Sequence, residues 1–136
     1  MPDTGIPREA IGATAERSLV VNEEHSAVRW GSGGIEVLST PQMIAMMEES
    51  AVDALRPYLP PEQQTVGIHL DVAHLAATPM GGQVTARATL LEIDGRKAIF
   101  RVEAYDAAGT IGEGTHQRFL IDVERFMNKA RERLTQ

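Results

Sequence analysis

A single long apolar helix set among many strands constrains this chain more than any other feature. In "LSTPQMIAMMEESAVDALRPYLPPE" (38–62) the stretch from Thr40 to about Arg56 repeats its methionines, alanines and leucines at helical spacing. Its start is marked twice: the Thr40 hydroxyl sits at the N-cap, and Pro41 takes the first helical position, where a missing N–H costs nothing. Pro57 and then Pro60-Pro61 end it. After residue 64 the period changes to two. Val66, Ile68, Leu70 and Val72 form one face of a strand, with His69 and Asp71 on the other.

The alternation continues through "QVTARATLLEI" (83–93), with Val84, Ala86, Ala88 and Leu90 inward and a bulge at Leu90-Leu91. Asp94-Gly95 is a hairpin turn, and "KAIFRVEAYD" (97–106) returns with Ala98, Phe100, Val102 and Ala104 on one face. A turn at 107–109 leads into a last strand reaching about residue 121, and an amphipathic helix follows with Val123, Phe126, Met127 and Ala130 on one side. Upstream, "RSLVV" (17–21) is a short strand, "HSAVRW" (25–30) has no clear preference, and "GSGG" (31–34) is a turn. Residues 1–16, interrupted by proline and glycine, are expected to form a flexible N-terminal segment, leaving 17–136 as a single domain. One helix against so many strands must be largely surrounded by them. The expected fold is α+β of the hot-dog kind, a curved antiparallel β-sheet wrapped around a central α-helix. Cystatin-like and cone-shaped NTF2-like folds put more helix before the sheet and rank below it.

Composition removes several functions. The 136 residues carry a net charge of −6 with the acidic groups dispersed, which disfavours nucleic acid and anionic membranes as partners. There is no cysteine, so thiolate chemistry and cysteine-based metal sites are excluded. The N-terminus has no apolar signal core and no run is long enough to span a bilayer, so a cytoplasmic location is expected. The four histidines (25, 69, 74, 116) show no close ligand spacing, and no metal or separate cofactor is expected.

A helical wheel at about 100° per residue separates the adjacent glutamates. Met43, Met46, Met47, Ser50, Ala51 and Ala54 define the apolar sector; Glu48 lies on its shoulder and Glu49 on the solvated side. A carboxylate in that position is either a boundary residue reaching for water or a base or nucleophile activated by apolar surroundings. In the strand, His74 continues the even-numbered series and is aimed at the core face, either as a half-buried structural histidine or as a catalytic one. Glu48 and His74 could converge because the helix faces the sheet, and with Thr40 they would make a hydrolytic site. Thr40 equally has a sufficient role as N-cap.

Together "TPQMIAMMEESA", "VGIHLDVAHLAATPMG" and "IGEGTHQRFLID" resemble the fluoroacetyl-CoA thioesterase-like branch of hot-dog thioesterases. The combination of H-x-A-A-T-P-x-G with a later G-x-G-T-H-x-R carries the specificity. The resemblance implies a homodimer, or a dimer of dimers, with sheets joined edge to edge and an acyl-thioester site at the subunit boundary. It places the family's catalytic threonine, glutamate and histidine on Thr40, Glu48 and His74, and its substrate-contacting glycine and arginine on Gly67 and Arg118. Gly67 would let a thioester carbonyl approach the backbone closely, and Arg118 either holds an anionic or carbonyl group or is a sheet-surface charge. His116 shares a face with Arg118 and is read as structural. One departure stands out: the fluoroacetyl-specific member has bulky aromatics as a lid where this chain has Gly31 and Gly34, so selectivity for fluoroacetyl is not expected. Trp30, beside this loop, is the residue that would partly replace the lid.

The expected activity is hydrolysis of an acyl-CoA or related acyl thioester to acid and thiol, with CoA as part of the substrate. The main rival is a non-catalytic acyl-CoA-binding hot-dog domain serving as sensor or accessory subunit. A hot-dog hydratase would need its acid and histidine close together on one loop, a spacing absent here, and a structural dimerisation module would not need Glu48 and His74 facing inward.

Overall fold

The expected long helix forms as the second of the chain's α-helices. In the computed structural model, which describes residues 5–135, a short α1 (Ala27–Trp30) precedes α2 (Thr40–Leu55). Every residue of the predicted apolar sector is buried, from Met43 and Met47 to Ala54, and Leu55 joins them. Ser50, the one polar member, donates to the Met46 carbonyl at 2.9 Å and lies 3.2 Å from that of Ala86, so its burial leaves no hydroxyl unpaired.

Five strands make one antiparallel sheet: β1 (Thr14–Val20), β2 (Gln63–His74), β3 (Gln83–Asp94), β4 (Lys97–Asp106) and β5 (Gly109–Asp122). Their order is β1-β3-β4-β5-β2. The inward series of β3 and β4, Val84 to Leu90 and Ala98 to Ala104, is buried against α2 as alternation predicts. Small residues on this face let the helix lie close. A Cβ at Gly112 would stand 2.5 Å from the Met43 sulfur. The architecture is the hot-dog fold: an α+β domain with the sheet wrapped around one helix. Among the described residues no helix is long and apolar enough to cross a membrane.

Three details differ from the sequence reading, and the strand order adds one on which it was silent. Residues 5–16 are packed rather than loose, because Ile6 and Ala10 are buried and the backbone is tied to the β3–β4 hairpin through Ile6 N–H to the Gly95 carbonyl (3.2 Å) and Gly12 N–H to that of Leu90 (2.9 Å). Residues 1–4 lie outside the described part. The turn between β3 and β4 is Gly95-Arg96, one residue further on, with Gly95 at φ 62°. β2 does not pair with β3, its neighbour in sequence; it crosses to the far side and pairs with β5, and among the described residues no strand covers its other edge.

The third difference concerns register. β2 and β5 slip by one residue between Gly67 and His69, a β-bulge at Ile68. Below it Thr65 and Gly67 face inward, opposite Leu120 and Arg118; above it Leu70, Val72 and His74 do, opposite His116, Gly114 and Gly112. Val66 and Ile68, predicted to point inward, therefore do not. The bulged Ile68 is half exposed. The Leu90-Leu91 bulge in β3 is present where expected. After β5, α3 (Val123–Glu132) buries none of its residues, although Phe126 and Met127 share one side of it.

Candidate active site

Ser39, not Thr40, is the N-cap of α2. Its side chain accepts from the Gln42 N–H at 3.1 Å, with Pro41 in the first turn. Thr40 is thereby released from capping. Its hydroxyl lies 2.7 Å from Nδ1 of His74, the last residue of β2. The loop after β2 makes this meeting possible: the Leu38 N–H donates to the Thr78 carbonyl (2.8 Å), and the Thr78 hydroxyl donates to Asp106 (2.8 Å). The chain entering α2 and the chain leaving β2 are thus stitched together.

Nε2 of His74 is buried and has no hydrogen-bond partner. Burial also pushes the ring below its ordinary pKa of 6.5, against a weaker opposing pull from the nearby Ala76 backbone, favouring neutral imidazole. A hydroxyl can donate or accept, so the ring can hold its proton on either nitrogen while keeping Thr40 as partner. Thr40 and His74 line an open cavity of about 370 Å³ whose other walls are small or apolar: Ala27, Gly33, Gly34, Ile35, Ala76 and Ala77 among them. Trp30 does not line it. Its indole N–H donates to the Glu24 carbonyl at 2.8 Å.

A second cluster sits two turns along α2. Glu48 Oε2 is 3.3 Å from Nη1 of Arg118 and 3.9 Å from Nε2 of His116. Arg118 is 5% exposed, so it is no surface charge. Its Nε and Nη2 donate to the Thr65 hydroxyl and carbonyl, both at 2.9 Å, and Nη1 lies 3.0 Å from His116 Nε2. Desolvation pushes its pKa down, opposed by the Glu48 carboxylate. Gly67, opposite Arg118, completes the cluster, since a Cβ there would lie 2.6 Å from Glu48 Oε2. The glycine is what lets the carboxylate lie against β2. The Glu48 side chain remains 39% exposed, and its company is a guanidinium and an imidazole rather than apolar groups.

The five sequence-derived residues thus fall into two groups. Thr40 meets His74, and Glu48 meets Arg118 and Gly67. Within one chain the groups stay apart, because eight residues of helix between Thr40 and Glu48 rise about 12 Å, and Gly67, near the middle of β2, stands roughly 20 Å along the strand from His74 at its end. His116 was the missed member of the second group. The signal for it was present, because it shares an alternation face with Arg118. Among the described residues no group of three or more His, Cys, Asp or Glu could hold a metal ion.

Solved structures with the same architecture identify the class. The chain superimposes on a thioesterase superfamily member from Thermus thermophilus with a TM-score of 0.82 at 26% identity, covering 97% of this chain and 98% of that one. It superimposes on the fluoroacetyl-CoA thioesterase FlK with a TM-score of 0.84 at 34% identity, covering 90% of this chain and 95% of that one. The fold and these likenesses define a thioester hydrolase of the hot-dog class. More narrowly, residues 21–124 match the fluoroacetyl-CoA-specific thioesterase (FlK) family. The fluoroacetyl-CoA thioesterase of Streptantibioticus cattleyicolor is 42% identical over 98 residues, 72% of this chain and 70% of the relative. The chain belongs to the FlK family.

Proposed function

We propose that the protein hydrolyses acyl-CoA thioesters at a site shared by two copies of the chain, Thr40 and His74 coming from one protomer and Glu48, Gly67 and Arg118 from the other. The observation that carries this is the separation of the two groups within one chain. Each group is chemically incomplete. The first has an imidazole with an unpartnered buried nitrogen but no carboxylate; the second has a carboxylate but no unoccupied proton carrier. The bare edge of β2, with Ile68 and Leu70 exposed, supplies a surface along which a second sheet can be added.

In the reaction, the acyl–sulfur bond breaks and water supplies the new acyl oxygen, giving acid and thiol. Glu48 acts either as nucleophile, through a mixed anhydride that water cleaves, or as base drawing a proton from water. His74 carries a proton to the departing thiolate, and Thr40 keeps the ring oriented through its Nδ1 contact. Arg118 holds Glu48 in place, and Gly67 keeps the backbone accessible to the thioester carbonyl.

The relative's name specifies fluoroacetyl-CoA. Here the cavity beside Thr40 is bounded by Gly33 and Gly34 with no aromatic lid, a shape that supports acyl groups larger than fluoroacetyl. The test is thiol release from acetyl-, fluoroacetyl-, isobutyryl- and benzoyl-CoA by the wild type, Glu48→Gln and His74→Ala. Wild-type turnover lost by about 10²-fold or more in each variant is expected for acid–base residues. Variants that keep wild-type turnover would remove these residues from the chemistry. Binding of all four esters without thiol release by any form would favour a non-catalytic acyl-CoA-binding domain.

A further inference from the structure

His116 is fully buried, yet the mechanism above does not use it. It stands on β5 opposite Leu70 of β2 and Phe100 of β4, its ring centroid 6.4 Å from that of Phe100. Its two nitrogens have partners of opposite kind. Nδ1 lies 2.8 Å from the His69 carbonyl, which can only accept, so Nδ1 carries the proton. Nε2 lies 3.0 Å from Arg118 Nη1, which can only donate, so Nε2 must be bare. Both contacts demand the same neutral tautomer.

The consequence reaches Glu48 through the guanidinium. Nη1 has two hydrogens, one used by His116 Nε2 and the other directed to Glu48 Oε2. Thr65 fixes the remaining side of the group through Nε and Nη2. Without an acceptor at position 116, one Nη1 hydrogen would be unpaired in a buried site, and the guanidinium would tilt to find another. We propose that His116 is a positioning residue: held in its Nδ1–H form by the His69 carbonyl, it orients Arg118 so that one carboxylate oxygen of Glu48 is anchored and the other left open for reaction. This rests on the catalytic assignment of Glu48 made above.

Protonation would defeat the arrangement, because a cationic ring would face Arg118 from the same strand, with the His69 ring of β2 also disfavouring it and the His69 carbonyl and the Glu48 carboxylate of α2 opposing them. Burial, and then Arg118, push His116 below its ordinary pKa of 6.5, which keeps the ring in the required state.

Two substitutions divide the histidine's functions. His116→Asn retains a donor near the Nδ1 position but presents nothing to Arg118; His116→Gln reaches Arg118 with an amide oxygen but abandons the His69 carbonyl. Thiol release is measured with whichever of the four esters the wild type hydrolyses fastest, beside Glu48→Gln as reference. His116→Asn is expected to lower kcat by about 10- to 100-fold with KM within about threefold, the loss typical of a reacting group misplaced by an ångström. His116→Gln should recover most of that kcat, while the melting temperatures of both variants fall alike. An inactive Glu48→Gln together with equal kcat for the Asn and Gln variants would overturn the positioning role alone. A Glu48→Gln enzyme at wild-type rate would overturn the catalytic assignment and this role with it. On the unaltered protein, nitrogen-15 NMR at neutral pH should show His116 protonated at Nδ1 and bare at Nε2; the other tautomer, or an imidazolium, would equally overturn the proposal.

Discussion

The two ends of the site are built on opposite electrostatic plans. At the start of α2, Thr40 and His74 meet as neutral groups beside a cavity with small apolar walls, and the imidazole keeps one nitrogen unspent. Two turns further on, Glu48, His116 and Arg118 form a charged cluster in which nearly every polar atom is committed. The first end can exchange a proton and the second can hold a charge in place. Hydrolysing a thioester needs both properties, and a single helix presenting both about 12 Å apart cannot focus them on one carbonyl. The shared site proposed above would solve this, with a two-fold arrangement of antiparallel protomers pairing unlike ends.

The strongest test breaks the comparison outright. Glu48→Gln and His74→Ala proteins, each inactive alone, are denatured together in equal amounts and refolded, and thiol release is measured. If the halves come from different protomers, half of the dimers are mixed and each has one intact site, so about a quarter of wild-type activity returns. No recovery would mean that each chain is self-sufficient.

A smaller effect separates Thr40 from its neighbour Ser39. Thr40→Val should lower kcat by roughly tenfold through loss of the hydrogen bond to His74, with an unchanged melting temperature, because capping belongs to Ser39. Ser39→Ala should show the reverse, costing about 1 kcal/mol in chemical denaturation as a lost helix cap does while kcat stays near wild type.

The smallest effect is in pH. His74 and His116 are both pushed below 6.5 in the folded chain, chiefly by burial. Well above 6.5 both are neutral folded or unfolded and contribute no pH slope. As pH falls below 6.5 the unfolded chain takes up protons first, so stability declines until the folded-state values are passed. Urea unfolding between pH 7.5 and 5 should show this decline, and His116→Gln should reduce it.

Much of the architecture was legible because its determinants are periodic. The apolar sector of α2 and the alternations of β3 and β4 are repeated patterns that packing preserves. What escaped was whatever depended on one residue or on a distant partner. Ile6 and Ala10 are isolated apolar residues whose place against the β3–β4 hairpin no local pattern announces. Ser39 and Thr40 are both competent caps, and only the geometry of the incoming chain chooses between them. The candidate residues could be singled out one by one, but their division into two groups could not, because sequence shows which face a side chain takes and not how far along the sheet it stands. His116 was read as structural, and the role proposed for it rests on contacts no local pattern announces, with Arg118 and the His69 carbonyl on either side of it.

The bulge at Ile68 has a consequence for which changes this strand can accept. An unbroken strand sends odd and even positions to opposite sides, so Gly67 and His74, seven apart, could not both serve the interior. The extra residue resets the parity and lets one strand present residues to both groups of the candidate site. Segment 67–74 should consequently accept many side chains at position 68 but no change of length, since one deletion would turn either the glycine or the histidine outward.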